Sequence, residues 1–430
     1  MTNDILEIAK LAKTASLKMQ TLSCELKNEV LIAIANNIEK NSQEIFKANA
    51  IDLEEAQKSN LSPALLGRLK LDEYKLRDMI QGVKDVAKLD DPVNKILSET
   101  ELDEGLILKK ISCPIGVLGI IFEARPDVIS QISALAIKSS NVVILKGGSE
   151  AANTNKVIAQ IINSTLDTFK DFPKNVINLV FSREDIARIL KLDNYIDLII
   201  PRGSNKLVKY IKENTKIPVL GNADGICHIY IDESAYIKKA CEICIDSKVQ
   251  YPSACNSVET ILVQKNSAQN FLPEFYKRCV EQGVKVKGCE NTLKILPNVE
   301  IADESDWETE YSDKIVSIKI VNDLYEAIEH INFYGSHHTD CIITENADNA
   351  EIFMNSVDSA GVYHNASTRF ADGFRYGFGA EIGISTNKTH ARGPVGIEGL
   401  MIYKYKLYGH GDIVSDFTTH KRSFTHKELN

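Results

Sequence analysis

The chain has 430 residues, 44% hydrophobic and 25% charged, enough for more than one globular core and without a low-complexity tract. A formal charge of −9 and a pI near 5.6 leave no basic stripe for nucleic acid. "MTNDILEIAKLAKTASLK" lacks the apolar core of a secretory signal, and no apolar run approaches the roughly 20 residues of a membrane-spanning helix. The nine irregularly spaced cysteines read as reduced thiols, so a cytoplasmic protein is expected, with no membrane and no nucleic-acid partner.

From Asp4 to about Val86, apolar residues recur at three and four, as in "LKNEVLIAIANNIEKN", and predict helices interrupted near Pro63. Around "LDEG", short β-favouring runs predict a two-stranded ribbon returning toward Ile111. An α/β alternation follows: "GVLGIIF", a helix begun by Pro126, "NVVILKGG", "EAANTNKVIAQIINSTLDTF", "VINLVF", "IDLIIPRG", "SNKLVKYIKEN", "IPVLG" and "CHIYID". Continuous Val/Ile/Leu strands between amphipathic helices predict a parallel sheet covered on both faces. A second α/β region begins near Glu233, and the glycine-rich "FRYGFGAEIGISTNKTHARGPVGIEGL" precedes a last strand, "MIYKYKLYG".

Parallel sheets bind ligands where strands feed helix N-termini. Two loops have that form: "ILKGGSEA", with Lys146 ahead of Gly147 and Gly148, and "IIPRGSNKLV", with Arg202, Gly203 and Ser204 at a helix start. Backbone N–H groups there attract phosphate, although the G-x-G-x-x-G fingerprint is absent. At the end of such a strand an acid would bind a ribose 2′-hydroxyl. Lys146 would instead pair with a 2′-phosphate, favouring NADP over NAD if a dinucleotide binds.

Cys255, in "YPSACNS", sits in a turn whose N–H groups could stabilise a thiolate and a developing oxyanion, with Asn256 adding an amide donor. An inert, half-buried thiol explains the same residues. Cys241 and Cys244 have redox spacing but lie inside a helical pattern and read as core. His337 and His338 are adjacent, point differently, and make no metal pair; no metal site is expected.

Four stretches, "FEARPDV", "YPSACNSVETILV", "VNDLYEAIEHINFYGSHHTDCI" and "HARGPVGIEGL", make the chain resemble the gamma-glutamyl phosphate reductase family of the aldehyde dehydrogenase superfamily over nearly its whole length. The resemblance implies an aldehyde-dehydrogenase-like α/β fold. A Rossmann-type cofactor domain would cover 1–95 and 114–232, a catalytic domain 233–398, and an oligomerisation ribbon with a tail 96–113 and 399–430. It also implies that Cys255 is the nucleophile, that Lys146 contacts the adenosine ribose and its phosphate, that Gly203 and Ser204 lie near the pyrophosphate, and that Glu310 bonds the nicotinamide ribose. Two departures stand out. The hydrolytic glutamate of oxidative relatives has no counterpart in "VLGNADG", and the oxyanion asparagine is replaced around Ala124. The Cys255 N–H and the Asn256 side chain are the candidate donors.

The resemblance further implies NADPH-dependent reduction of L-glutamyl 5-phosphate to L-glutamate 5-semialdehyde through a Cys255 thioester, in proline biosynthesis. Arg125, Arg369 and Arg392 are candidate ligands for the phosphate and α-carboxylate. The glycine-rich "GFGAEIGIST" is expected to frame the amino-acid end. A homo-oligomer and transient contact with glutamate 5-kinase are expected partners. A nicotinamide-free cysteine hydrolase and a non-catalytic scaffold are the competing readings.

Overall fold

A computed structural model describes residues 4–181, 184–221 and 224–429. The chain divides into two compact units, Met1–Leu220 with Val395–Asn430, and Gly221–Pro394.

The first unit opens with helices α1 (Ile5–Met19), α2 (Cys24–Lys40), α3 (Ser42–Lys58), α4 (Pro63–Leu69) and α5 (Glu73–Lys88). Asp4, Ser23, Ser62 and Asp72 cap α1, α2, α4 and α5 through side-chain oxygens. Strands β1 (Ile96–Asp103) and β2 (Leu106–Pro114) form the expected antiparallel ribbon. Then come β3 (Val117–Phe122), α6 (Asp127–Lys138), β4 (Val142–Lys146), α7 (Ala152–Leu166), β5 (Ile177–Val180), α8 (Glu184–Ile189), β6 (Leu198–Arg202) and α9 (Asn205–Asn214). The four core strands are parallel in the order β5-β4-β3-β6. Every residue of β3 and β4 is buried, which is why both read as unbroken apolar runs. "IPVLG" adds a single bridge, Ile199 to Val219, and no full strand.

The order reverses between β3 and β6, so their carboxyl ends flank a topological switch point. Asp52 of α3, 1% exposed, ties the helical layer to this sheet. Its carboxylate accepts from the Asn153 and Thr154 N–H groups at 3.1 and 2.8 Å and from the Thr154 hydroxyl at 2.6 Å. It thereby caps α7, whose own N-cap, Ala151, has no side chain to do so.

In the second unit, β7 (Cys227–Ile231), α10 (Ile237–Val249), β8 (Val258–Gln264), α11 (Lys265–Gln282), β9 (Lys285–Gly288), α12 (Glu290–Leu293), β10 (Glu300–Ile301), β11 (Ile315–Val321), α13 (Leu324–Tyr334), β12 (Thr339–Ile343), α14 (Ala347–Ser356) and β13 (Gly361–His364) build a seven-stranded parallel sheet, ordered β10-β9-β11-β8-β7-β12-β13. "CHIYID" therefore does not continue the first sheet. It is β7, paired with β8 and β12, and the compact units change over at 220/221 rather than at 232/233. The continuous apolar run gave no sign of which sheet would take the strand.

The short pair β14 (Ile384–Ser385) and β15 (Gly393–Pro394) closes this unit. The chain then returns to the first unit as β16 (Met401–Tyr408), α15 (Val414–Thr418) and β17 (Lys427–Glu428). β16 pairs with β2 along its whole length and β17 with β1, so the ribbon becomes a four-stranded sheet. Ile402, Tyr403, Tyr405, Leu407 and Tyr408 of its outer strand are exposed. Among the described residues no helix is long and apolar enough to cross a membrane.

Asp52→Ala should lower the unfolding free energy by about 2–3 kcal/mol, the cost of stranding the first-turn N–H groups of α7 that a charged acceptor now satisfies. Denaturant titration reads it, and an unchanged midpoint would contradict the capping role.

Candidate active site

The first unit brings its cationic and glycine-bearing loops to the carboxyl ends of β4 and β6. Lys146 is the last residue of β4; its side chain is buried and its ammonium donates to the Gly147 carbonyl. Ser204 is the N-cap residue of α9, and its N–H donates to the Glu123 carboxylate at 2.8 Å. A Cβ on Gly203 would fall 2.5 Å from the same carboxylate oxygen, so the absence of a side chain there lets Glu123 cover the helix start.

Sequence reasoning missed Glu123; the signal was an acid directly after β3 at the switch point. The carboxylate shows that this helix start accepts an anion, and phosphates of a dinucleotide fit the same donors, with Lys146 and Arg202 at the neighbouring strand ends. Ala124 holds a left-handed φ of 43° and donates its N–H to Glu150 at 2.5 Å. Arg125 follows just ahead of α6, where its carbonyl accepts from Val128.

In the second unit Cys255 lies in the connection from α10 into β8, at the amino edge of the sheet and not at its carboxyl edge. Two successive turns shape it, Ala254 N–H to the Tyr251 carbonyl and Ser257 N–H to the Ala254 carbonyl. The thiol-bearing residue is partly exposed, while Cys227 is buried and donates its Sγ hydrogen to the Cys255 carbonyl at 3.3 Å. Gly225 packs against this backbone: a Cβ there would lie 2.2 Å from the Cys255 carbonyl oxygen and 2.5 Å from its Cα.

Asn256 is buried and its amide nitrogen donates to the Ala371 carbonyl at 2.8 Å. In return the Thr368 hydroxyl donates to the Asn256 carbonyl at 2.7 Å, and Ser247 bonds both Ser367 and the Thr368 N–H. These bonds strap the short helical turn Thr368–Phe370, which carries Arg369, to the thiol turn.

Arg369 is 8% exposed. Its Nε donates to the neutral Gln250 amide oxygen at 2.8 Å, and its guanidinium lies 5.8 Å from the Tyr251 ring centre. It forms no ion pair within 4.0 Å among the described residues. Burial lowers its pKa and the positive charge of Arg375 adds to the fall, while the charges of Cys255, Asp372 and Asp246 oppose both. Arg392 differs. It pairs with Asp358 at 3.0 Å, and Lys388 pairs with the same carboxylate. Of the candidate cations in this unit, Arg369 is the one placed against the thiol turn.

Behind that turn lies a buried ion pair. Lys248 of α10 donates to Glu259 of β8 at 2.8 Å, with side chains 1% and 0% exposed. Burial pushes the Glu259 carboxyl up to about 8 and draws Lys248 down, against their mutual attraction; the charge of Glu310 also raises Glu259. Glu310 therefore stands close to this pair. Cys241 and Cys244 are core residues, and burial pushes the Cys241 thiol up to about 12. His338 is buried against the Thr339 hydroxyl, whereas the preceding His337 turns to the Asp358 carbonyl. Asn222 and Ala223, within the stretch that lacks a hydrolytic glutamate, lie outside the described residues.

Residues 1–300 match the aldehyde dehydrogenase family. A gamma-glutamyl phosphate reductase from Brachyspira hyodysenteriae is 61% identical over 99% of both chains, and one from Acetivibrio thermocellus is 54% identical over 99% of this chain and 98% of the other. The crystal structure of the Thermotoga maritima gamma-glutamyl phosphate reductase superposes with a TM-score of 0.94 at 40% identity, covering 96% of this chain and 100% of that one. A glyceraldehyde-3-phosphate dehydrogenase from Methanocaldococcus jannaschii, solved with NADP, shares the fold at 18% identity and a TM-score of 0.65, covering 94% of each chain.

Gly225→Ala should cut turnover by about a hundredfold, because its methyl group must push the Cys255 backbone aside and small displacements of a nucleophile are costly. Steady-state kinetics on the folded variant, with a lowered melting temperature beside them, would show it; full activity would contradict the packing argument. Lys248→Met should destabilise the protein by about 1–3 kcal/mol, because Glu259, already pushed up to about 8, stays protonated and loses a buried hydrogen-bond partner. Thermal unfolding near neutral pH reads that loss, and wild-type stability would contradict it.

Proposed function

The chain belongs to the aldehyde dehydrogenase family and, within it, to the gamma-glutamyl phosphate reductases, and from that membership we propose that it reduces L-glutamyl 5-phosphate to L-glutamate 5-semialdehyde and phosphate, with NADPH as reductant, in proline biosynthesis. The observation that carries this reading is the strapping of the Arg369 turn to the Cys255 turn, which sets a buried cation on neutral partners beside a thiol.

The Cys255 thiolate attacks the acyl carbon and phosphate leaves with the electron pair of the broken C–O bond, taking one proton from solvent. The product is a thioester on Cys255, and one difficult displacement becomes two easier steps. Arg369 offsets the charge on the departing phosphate. A guanidinium without a carboxylate partner meets a phosphate with less competition than one already paired. Arg125 and Arg392 are the remaining candidates for the α-carboxylate; Arg392 would have to share Asp358 to serve.

When bound, a reduced nicotinamide would supply the hydride for the thioester carbonyl. Lys146, Arg202, Gly203 and Ser204 would hold the cofactor's phosphates and Glu310 its nicotinamide ribose. The cation at the end of β4 supports NADPH over NADH. The tetrahedral alkoxide left on Cys255 collapses to the aldehyde and returns the thiolate, so this half of the reaction needs no general base. Oxyanion stabilisation falls to the Cys255 N–H and to the Asn256 amide hydrogen that Ala371 does not use. A residue activating water would divert the thioester to glutamate, and "VLGNADG" supplies no glutamate to do so.

The reverse reaction tests the proposal. Semialdehyde, NADP and inorganic phosphate should together produce reduced cofactor, with no signal when phosphate is omitted, and Cys255→Ala should abolish it. Full activity in that variant, or none in the wild type, would remove the reading.

A further inference from the structure

The loop that follows the Arg369 turn carries a second arginine that the sequence pattern did not single out. Asp372 shapes it: its carboxylate accepts from the Phe374 and Arg375 N–H groups at 3.0 and 3.1 Å, and its carbonyl accepts from Tyr376 at 2.9 Å. The loop is closed by Gly373 N–H to the Glu381 carboxylate at 2.7 Å and by Phe378 N–H to the Gly373 carbonyl at 2.8 Å. Arg375 is thus presented from a built turn. Its Nη1 donates to the backbone carbonyl of Arg369 at 2.7 Å and stands 3.9 Å from Asp372. Both contacts use the same nitrogen.

With Arg375 bonded to the Arg369 backbone, its positive charge bears on the Arg369 guanidinium and the two repel each other. One of them, Arg369, is buried on a neutral amide and an aromatic ring. The other is anchored to that residue's own carbonyl, at a distance from Asp372 typical of a weak, partly solvated pair. Asp372 and Asp246 offset part of that repulsion, and a phosphoryl dianion between the two guanidinium groups would offset the remainder. Both arginines sit on the segment that Asn256 and Thr368 fasten to the Cys255 turn.

We propose that Arg375 acts with Arg369 as a two-guanidinium subsite for a phosphoryl dianion, grasping the leaving group of the acyl phosphate beside Cys255. The assignment rests on the reductase reading for its substrate, but the anion subsite can be tested without cofactor. Arg375 then determines affinity for phosphate and not for the aldehyde.

The probe is inorganic phosphate. Iodoacetamide alkylation of Cys255 in the full-length protein, followed by mass spectrometry of the peptide containing it, should slow saturably as phosphate is added, with chloride at equal ionic strength as the control. Arg375→Gln should raise the phosphate concentration for half-protection by about tenfold or more, and Arg375→Lys should restore part of the loss. In the reverse reaction the same Gln variant should raise the KM for phosphate while leaving the KM for semialdehyde unchanged.

Absence of saturable protection in the wild type, or unaltered half-protection and phosphate KM in Arg375→Gln, would overturn the proposal. If the protein shows Arg375-dependent protection but no phosphate-dependent reduction of NADP, the reductase reading fails and the subsite stands. If reduction is intact and Arg375→Gln behaves as wild type, the subsite fails and the reductase reading stands.

Discussion

A side-chain amide and a hydroxyl hold two turns together: Asn256 donates to Ala371, and Thr368 donates back to Asn256. Both bonds are buried, where an unmade partner costs more than the bond itself contributes. The thiol turn therefore cannot shift without carrying Arg369. A reactive sulfur needs a nearby positive charge that stays in place while bonds form and break, and loops alone hold position poorly. Here the loop is fixed on three sides, by the strap, by Gly225 against the Cys255 carbonyl, and by the Cys227 thiol hydrogen bonded to that carbonyl.

Charge placement in the second unit follows the same logic. Arg392 and Lys388 spend their charges on Asp358, at the surface, where such pairs are worth little. Lys248 and Glu259 are buried and paired with each other, behind the Cys255 turn. Arg369 is the exception, a buried cation resting on Gln250 and Tyr251. Natural interiors rarely keep a charge in that condition unless something of opposite sign comes to it. In the first unit the complementary situation holds: Glu123 already occupies the start of α9, so an anion-binding helix end is visible through the protein's own carboxylate.

Much of this was legible in the residues. The helical layer, the ribbon around "LDEG", the fully buried strands and the helix containing Cys241 and Cys244 all follow from periodicity, because burial on one or both faces writes itself into the apolar pattern. The assignment of "CHIYID" failed because a strand buried on both faces carries no label for its sheet; only the pairing with β8 and β12 decides it. Arg369, Arg392 and Arg125 looked equivalent as letters. They became distinct through partners far away in the chain, Gln250 for one and Asp358 for another. Gly225 and Glu123 escaped notice for the same reason: each matters through a contact with a residue remote in sequence, Cys255 and Ser204.

The central claim is that Cys255 carries the glutamyl group as a thioester while Arg369 steadies the departing phosphate. The most direct measurement is intact-protein and peptide mass spectrometry after brief mixing with glutamyl 5-phosphate, generated in place and without nicotinamide, quenched in acid. The account predicts a glutamyl adduct on the peptide containing Cys255, released by hydroxylamine. Unmodified Cys255 under conditions where added NADPH yields semialdehyde would contradict it.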